Sequence, residues 1–259
     1  MIRGQDLLLL SKKMSLRFWI ISIVTMFFLI AGCSSVEEKV LFYPTHKVEE
    51  NGLTPWFSAE HLIGYSRRVE TPKNVWLMLH GNGGQASDRA YSVACFSTED
   101  SVFILEYPGY GARKGTPSAK TFNRAAKEAY LFLRESYPDL PVCVVGESIG
   151  TGPAASLASL EKPPEKIVLI VPFDELSKVA ERHFSSFLVG LFLRSGWDNI
   201  EALSGYKGKV DIFGAEVDTV IPLAHAKALA EALPESKLWI IEGGHNDWSY
   251  QNRVRIRNP

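Results

Sequence analysis

The stretch Gly146-Glu147-Ser148-Ile149-Gly150 sets a serine between two glycines in the spacing G-x-S-x-G. A serine hydroxyl is a weak nucleophile until a neighbouring base takes its proton. Glycines on either side tolerate a sharp turn, which makes the hydroxyl stand clear of the chain around it. By itself such a match arises too often by chance to carry an assignment. Other residues complete the chemistry. His245 lies in Glu242-Gly243-Gly244-His245-Asn246-Asp247, where the two glycines predict a loop. An imidazole there can take the serine proton and later return it to a leaving group. Asp218, in Gly214-Ala215-Glu216-Val217-Asp218-Thr219-Val220-Ile221-Pro222, lies between serine and histidine in chain order. A carboxylate in that place can orient the imidazole and stabilise its charged form. Asp174 is the rival acid, and Glu216 reads as a solvated loop charge. His80-Gly81-Asn82-Gly83-Gly84 is a glycine-rich turn whose backbone N–H groups can face a developing oxyanion. A phosphate loop is the poorer reading, since no Gly-Lys-Ser/Thr follows.

These residues need a scaffold that brings them together. Apolar runs recur at Val75–Leu79, Val102–Leu105, Val142–Val145, Ile167–Val171, Val210–Phe213 and Leu238–Ile241, interrupted only by Asp211. Short runs rich in Val, Ile, Leu and aromatics predict strands of a parallel sheet covered on both faces. Between them, Ser118 can cap a helix with an apolar stripe at Phe122, Ala126, Ala129, Tyr130 and Leu133. Pro222 suits the first turn of another, continuing through Ala226, Leu229 and Leu233. Strand–helix alternation implies right-handed crossovers and a three-layer α/β domain, whose functional loops sit at the carboxyl ends of the strands. Each motif above follows a predicted strand. No clear periodicity exists up to about residue 60, where Leu41-Phe42-Tyr43-Pro44 either starts a strand or packs across the domain.

From about Leu41 to Tyr250 the chain resembles the α/β-hydrolase superfamily. Within it, the details resemble the small branch that includes protein depalmitoylases and related bacterial hydrolases. The matching residues are the His80–Gly84 turn, Glu106-Tyr107-Pro108-Gly109-Tyr110-Gly111, Gly115-Thr116-Pro117-Ser118, Gly146–Gly152, Pro172-Phe173 and His245-Asn246-Asp247. The resemblance implies a mostly parallel central sheet with helices on both faces, no large cap domain, and ester or thioester hydrolysis without cofactor or metal. It implies Ser148 as nucleophile, Asp218 as acid and His245 as base. The oxyanion donors would be the backbone N–H groups of Ile149 and Asn82, with Gly83 the next choice. Ala112-Arg113-Lys114 departs from the small polar residue usual after Tyr-Gly, and Phe213-Gly214-Ala215-Glu216 from the more usual His-Gly.

Composition narrows the partners. The net charge of -1, with neither sign dominating a long stretch, gives no footprint for nucleic acid. Arg253, Arg255 and Arg257 read as a solvated tail. At the N-terminus, Lys12, Lys13 and Arg17 precede an apolar run from Phe18 to Ile30. That pattern predicts a secretory signal, the run being short for a membrane span. It ends in Leu29-Ile30-Ala31-Gly32-Cys33, which resembles the lipobox of bacterial lipoproteins, cleaved before an acylated Cys33. The expected divisions are a signal peptide over 1–32, a lipid-anchored linker over 33–60 and the hydrolase domain over 61–259. Met14 would serve as an alternative start. Localisation would be the bacterial cell envelope, with Ser34 favouring the outer membrane, facing the periplasm; no obligate protein partner is indicated. The other cysteines, Cys95 and Cys143, read as unpaired thiols.

The interval from 172 to 209 leaves room for helices but not for a lid domain. Phe184, Phe187, Leu188, Leu191 and Phe192 mark one apolar helix face there, either packed on the sheet or lining an acyl site. An acyltransferase with the same triad and a non-catalytic envelope lipoprotein are the alternative functions.

Overall fold

The computed structural model describes residues 41–47, 52–182 and 196–259. The strands are β1 (Thr54–Ser58), β2 (His61–Arg67), β3 (Val75–Leu79), β4 (Ser101–Leu105), β5 (Val142–Glu147), β6 (Lys166–Ile170), β7 (Lys209–Ala215) and β8 (Lys237–Ile241). Among the described residues they form one sheet in the order β1-β2-β4-β3-β5-β6-β7-β8. Pairings from β4 through β8 are parallel, while β1 and β2 are antiparallel to their neighbours. The central strands β3, β4, β5 and β6 are buried along their whole length, which is why they read as continuous apolar runs. The helices are α1 (Ala119–Ser136), α2 (Thr151–Ser156), α3 (Leu176–Glu181), α4 (Asn199–Leu203) and α5 (Leu223–Ala232); α1, α2 and α5 pack against the sheet, and α4 against α2 and α5.

The predicted stripe on α1 is buried, and Ser118 caps the helix in a reciprocal box with Thr121. Pro222 stands just before α5 instead of inside its first turn. The predicted helix over Phe184–Phe192 and the signal and anchor region through Cys33 lie outside the described residues. Among the described residues no helix is long and apolar enough to cross a membrane.

Two expectations are corrected. The sheet begins ahead of residue 61: β1 precedes that boundary, and Phe42, earlier still, is buried with its ring 5.0 Å from Phe122. The hairpin is invisible as periodicity because β1 buries only Trp56. An edge strand that exposes most of its side chains carries almost no alternation signal. The segment carrying the C-terminal arginines is not a free tail but packs on the domain, although Arg255 and Arg257 themselves are exposed. Val254 and Ile256 are buried between them, and Ile256 N–H donates to the Cys95 carbonyl at 2.9 Å. The Arg257 guanidinium lies 4.6 Å from the Trp239 ring centre. Alternation of Arg with Val and Ile is a half-buried extended segment.

Asp211, the polar break in the β7 run, forms a buried pair with Lys166 at 2.7 Å across the parallel β6–β7 ladder. Cys95 and Cys143 are free thiols, both buried. Burial pushes the first up to about 11 and the second up to about 12.

Candidate active site

The carboxyl ends of β3, β5, β7 and β8 carry the loops singled out above. At the end of β5 the chain turns through Ser148, whose φ is +53°. That is the left-handed region, costly for a residue with a Cβ, and it persists only where surroundings enforce it. Close packing supplies the enforcement. A Cβ on Gly150 would run into the Leu79 carbonyl oxygen of β3, and one on Gly146 would stand 2.5 Å from the Gly150 carbonyl. The two glycines therefore let α2 begin directly beneath the turn, leaving Ser148 at its apex.

His245 arrives from the loop after β8. Gly243 turns the chain with φ +96°, and Gly244 N–H donates to Asp247 Oδ2 at 2.8 Å. The loop after β7 is stitched to it: Glu216 N–H donates to Ile241 O at 2.9 Å and Val217 N–H to Gly243 O at 3.1 Å. This register brings Asp218 under the imidazole. Asp218 Oδ2 lies 2.7 Å from His245 Nδ1, and Ser148 Oγ lies 2.9 Å from His245 Nε2. Asp218 Oδ1 accepts from the N–H groups of Val220 and Ile221, each at 2.8 Å. A carboxylate offers only acceptors, so Nδ1 carries the proton and Nε2 presents its lone pair to the Ser148 hydroxyl. That is the arrangement a general base requires.

Asp174 is not part of this chain of bonds. It bonds His225 at 2.7 Å and Lys178 at 2.9 Å, well away in sequence from His245. Its burial favours the neutral acid, but hydrogen bonds from His225 and Lys178 and the Glu175 N–H outweigh that and lower its pKa. Of the two candidate acids, the structure joins Asp218 to the imidazole.

The His80–Gly84 turn follows β3. Asn82 does not project its amide freely: its Oδ1 accepts from Tyr43 N–H at 3.0 Å and from Tyr110 Oη–H at 2.8 Å. Residues 43–45 run alongside the turn, with Thr45 N–H donating to Gly84 O at 3.0 Å. Phe42–Pro44 thus packs across the domain, with an isolated bridge from Pro44 to Gly84. Beneath the turn, His80 packs on Tyr107 and Tyr110, and Tyr107 Oη–H donates to His80 O at 2.9 Å. Sequence reasoning missed Tyr43, Tyr110 and Glu147 as residues that fix this turn. The hints were the Leu41–Pro44 segment and, through resemblance, the Glu106–Gly111 and Gly146–Gly152 stretches. Its Arg113 neighbour donates to the Glu106 carbonyl at 2.7 Å, so the departure at 112–114 braces the rim. Among the described residues no cluster of His, Cys, Asp and Glu is placed to hold a metal ion.

No protein-family model matches the chain. It is similar to Alpha/beta hydrolase domain-containing protein 17B of Homo sapiens, 31% identical over 68% of this chain and 61% of that protein. It is also similar to Lysophosphatidylserine lipase ABHD12 of Xenopus tropicalis, 28% identical over 75% of this chain and 57% of that protein. The chain thus spans under two thirds of the length of these curated relatives. Among solved structures, an alpha-beta hydrolase from Vibrio vulnificus superposes with TM-score 0.60 at 18% identity, over 74% of this chain and 72% of that one. Sheet order and loop placement are those of the α/β-hydrolase fold.

Proposed function

We propose that this chain is a serine hydrolase that cleaves carboxylic ester or thioester bonds through an acyl-enzyme. The observation that carries the reading is the continuous bonding of Ser148 Oγ to His245 Nε2 and of His245 Nδ1 to Asp218 Oδ2, at 2.9 and 2.7 Å, at a left-handed serine. His245 takes the Ser148 proton as Oγ attacks the acyl carbon. The oxyanion is held by the Ile149 and Asn82 N–H groups. As the tetrahedral adduct collapses, His245 gives its proton to the departing alkoxide or thiolate, leaving the acyl group on Oγ. Water then attacks, its proton passing to His245, and the carboxylic acid leaves as Oγ regains a proton.

One relative bears the name of a lysophosphatidylserine lipase, so lipid-derived acyl esters and acyl thioesters form the first substrate panel. The test is labelling of the chain from Ser34 onward by a fluorophosphonate, wild type beside Ser148→Ala. Labelling confined to wild type supports an activated serine; a folded wild type that stays unlabelled refutes it.

We further infer that the N-terminus is a lipoprotein signal cleaved before Cys33 in a bacterial envelope. The support is the basic flank, the apolar run and Leu29-Ile30-Ala31-Gly32-Cys33. Radiolabelled palmitate should enter the wild type and not Cys33→Ala; incorporation that survives the change refutes the anchor.

A further inference from the structure

Between Gly146 and Ser148 stands Glu147, whose side chain is only 8% exposed and which the reaction above does not use. Its contacts come from separate segments of chain. Oε2 accepts from Gly81 N–H at 2.9 Å, the amide immediately before Asn82. The same oxygen lies 3.3 Å from Arg89 Nε, and the Arg89 guanidinium in turn donates to the Gly83 carbonyl, with the Gly81 carbonyl at 3.5 Å. Oε1 accepts from the Trp248 indole N–H at 3.3 Å, just beyond His245. The turn backbone rests directly on the carboxylate, since a Cβ on Gly81 would stand 3.0 Å from Oε1.

A bare carboxylate beside the nucleophile would repel the oxyanion that forms there. Arg89 answers this. Burial lowers its pKa, but Glu147, with Tyr91 and Asp88, more than restores it, so the guanidinium stays charged and neutralises the site. The cation also holds the carbonyls on both sides of Asn82.

We propose that Glu147, with Arg89 as counter-ion, is a positioning residue that sets the Asn82 amide against Ser148 and so forms the oxyanion hole. This rests on the serine-hydrolase reading, because only there does the Asn82 N–H become a donor in the reaction. The elbow residue that precedes the nucleophile is then the strut linking the nucleophile, the oxyanion turn and the histidine loop.

The decisive variant is Glu147→Gln, which keeps the shape, removes the charge and leaves one oxygen for two N–H donors. The expected result is a fall in kcat of about 10- to 100-fold, as for a small misplacement of catalytic groups, with KM within about twofold. Inhibition by a boronic acid, which mimics the tetrahedral adduct, should weaken by the same factor. Amide exchange at Gly81–Gly83, followed by NMR, should accelerate. Rates are referred to active sites titrated with fluorophosphonate, so loss of folded protein does not count as loss of kcat. Arg89→Lys keeps the charge but cannot span both carbonyls, and should give a smaller loss of the same kind. Unchanged kcat per titrated site, or unchanged exchange in the turn, overturns the proposal. The exchange measurement needs no turnover. Were the wild type unreactive, the hydrolase reading would fall while exchange still decided whether Glu147 holds the turn.

Discussion

Asp218→Asn tests the orientation of the imidazole more sharply than any deletion. In the structure Oδ1 faces two backbone donors, Val220 and Ile221 N–H, each at 2.8 Å, while Oδ2 faces His245 Nδ1 at 2.7 Å. An asparagine has one oxygen to place. Put toward His245, that oxygen would leave the amide N–H₂ against two N–H groups, a double loss of buried hydrogen bonds. Put toward the backbone, it keeps both, and the N–H₂ turns to His245. Nδ1 must then accept, which moves the ring proton to Nε2. Nε2–H faces Ser148 Oγ at 2.9 Å with no lone pair to take its proton. The expected fall in kcat is about 10⁴-fold, or about 5.5 kcal/mol, the size of a wrong tautomer in such a triad. Asp218→Ala leaves Nδ1 unforced, so the ring samples both tautomers, one of them productive, and the loss should be smaller than that of Asp218→Asn. The assay is the rate of fluorophosphonate labelling and of ester turnover for both variants, with melting curves as the check on folding. If Asp218→Asn is as active as Asp218→Ala or more so, the backbone does not dictate the side chain's orientation and the argument fails.

Asp174→Asn should leave turnover within about threefold of wild type, whereas a thousandfold loss would make Asp174 the acid. Its lowered pKa stabilises the fold above the ordinary carboxylate value of 3.8, and this contribution disappears as pH falls through the lower folded value. Urea unfolding at a series of pH values should therefore show a shallower acid decline for Asp174→Asn. Lys166→Met should cost about 3–5 kcal/mol in urea unfolding by leaving Asp211 buried and unpaired, and adding Asp211→Leu should recover most of it. An additive double variant would mean the pair is not coupled. Native Cys95 should resist iodoacetamide at pH 8, because a thiol at about 11 is roughly one-thousandth thiolate there. Rapid alkylation without unfolding would contradict its burial.

The fold was legible where side chains are buried on both faces and where helices are amphipathic. β3 through β7 and α1 each follow from runs or stripes of apolar residues. What escaped was held by other means. β1 buries one tryptophan, and β2 mixes buried Ile63 and Ser66 with exposed His61, so neither presents a period. The C-terminal Arg253–Arg257 segment was readable in principle, since it alternates charge with Val254 and Ile256. Three arginines in five residues weigh more in composition than two aliphatics do in pattern.

The candidate site divides along a similar line. Ser148, Asp218 and His245 can be found because each sits on a loop whose chemistry is local: glycines at a turn, an acid after a strand, a histidine after two glycines. The framework that aligns them is not local. Glu147 reaches Gly81 and Trp248, Tyr43 and Tyr110 converge on Asn82, and Val217 pairs with Gly243, all across wide gaps in sequence. A residue type says what a side chain can donate or accept, and only the closed sheet says to whom. Glu147 makes the point most clearly. In sequence it is the interchangeable x of G-x-S-x-G, and in the structure its carboxylate touches the His80–Gly84 turn and the loop that carries His245. Substitution there should consequently act on rate before it acts on substrate affinity, since it disturbs the alignment of groups that meet only in the transition state.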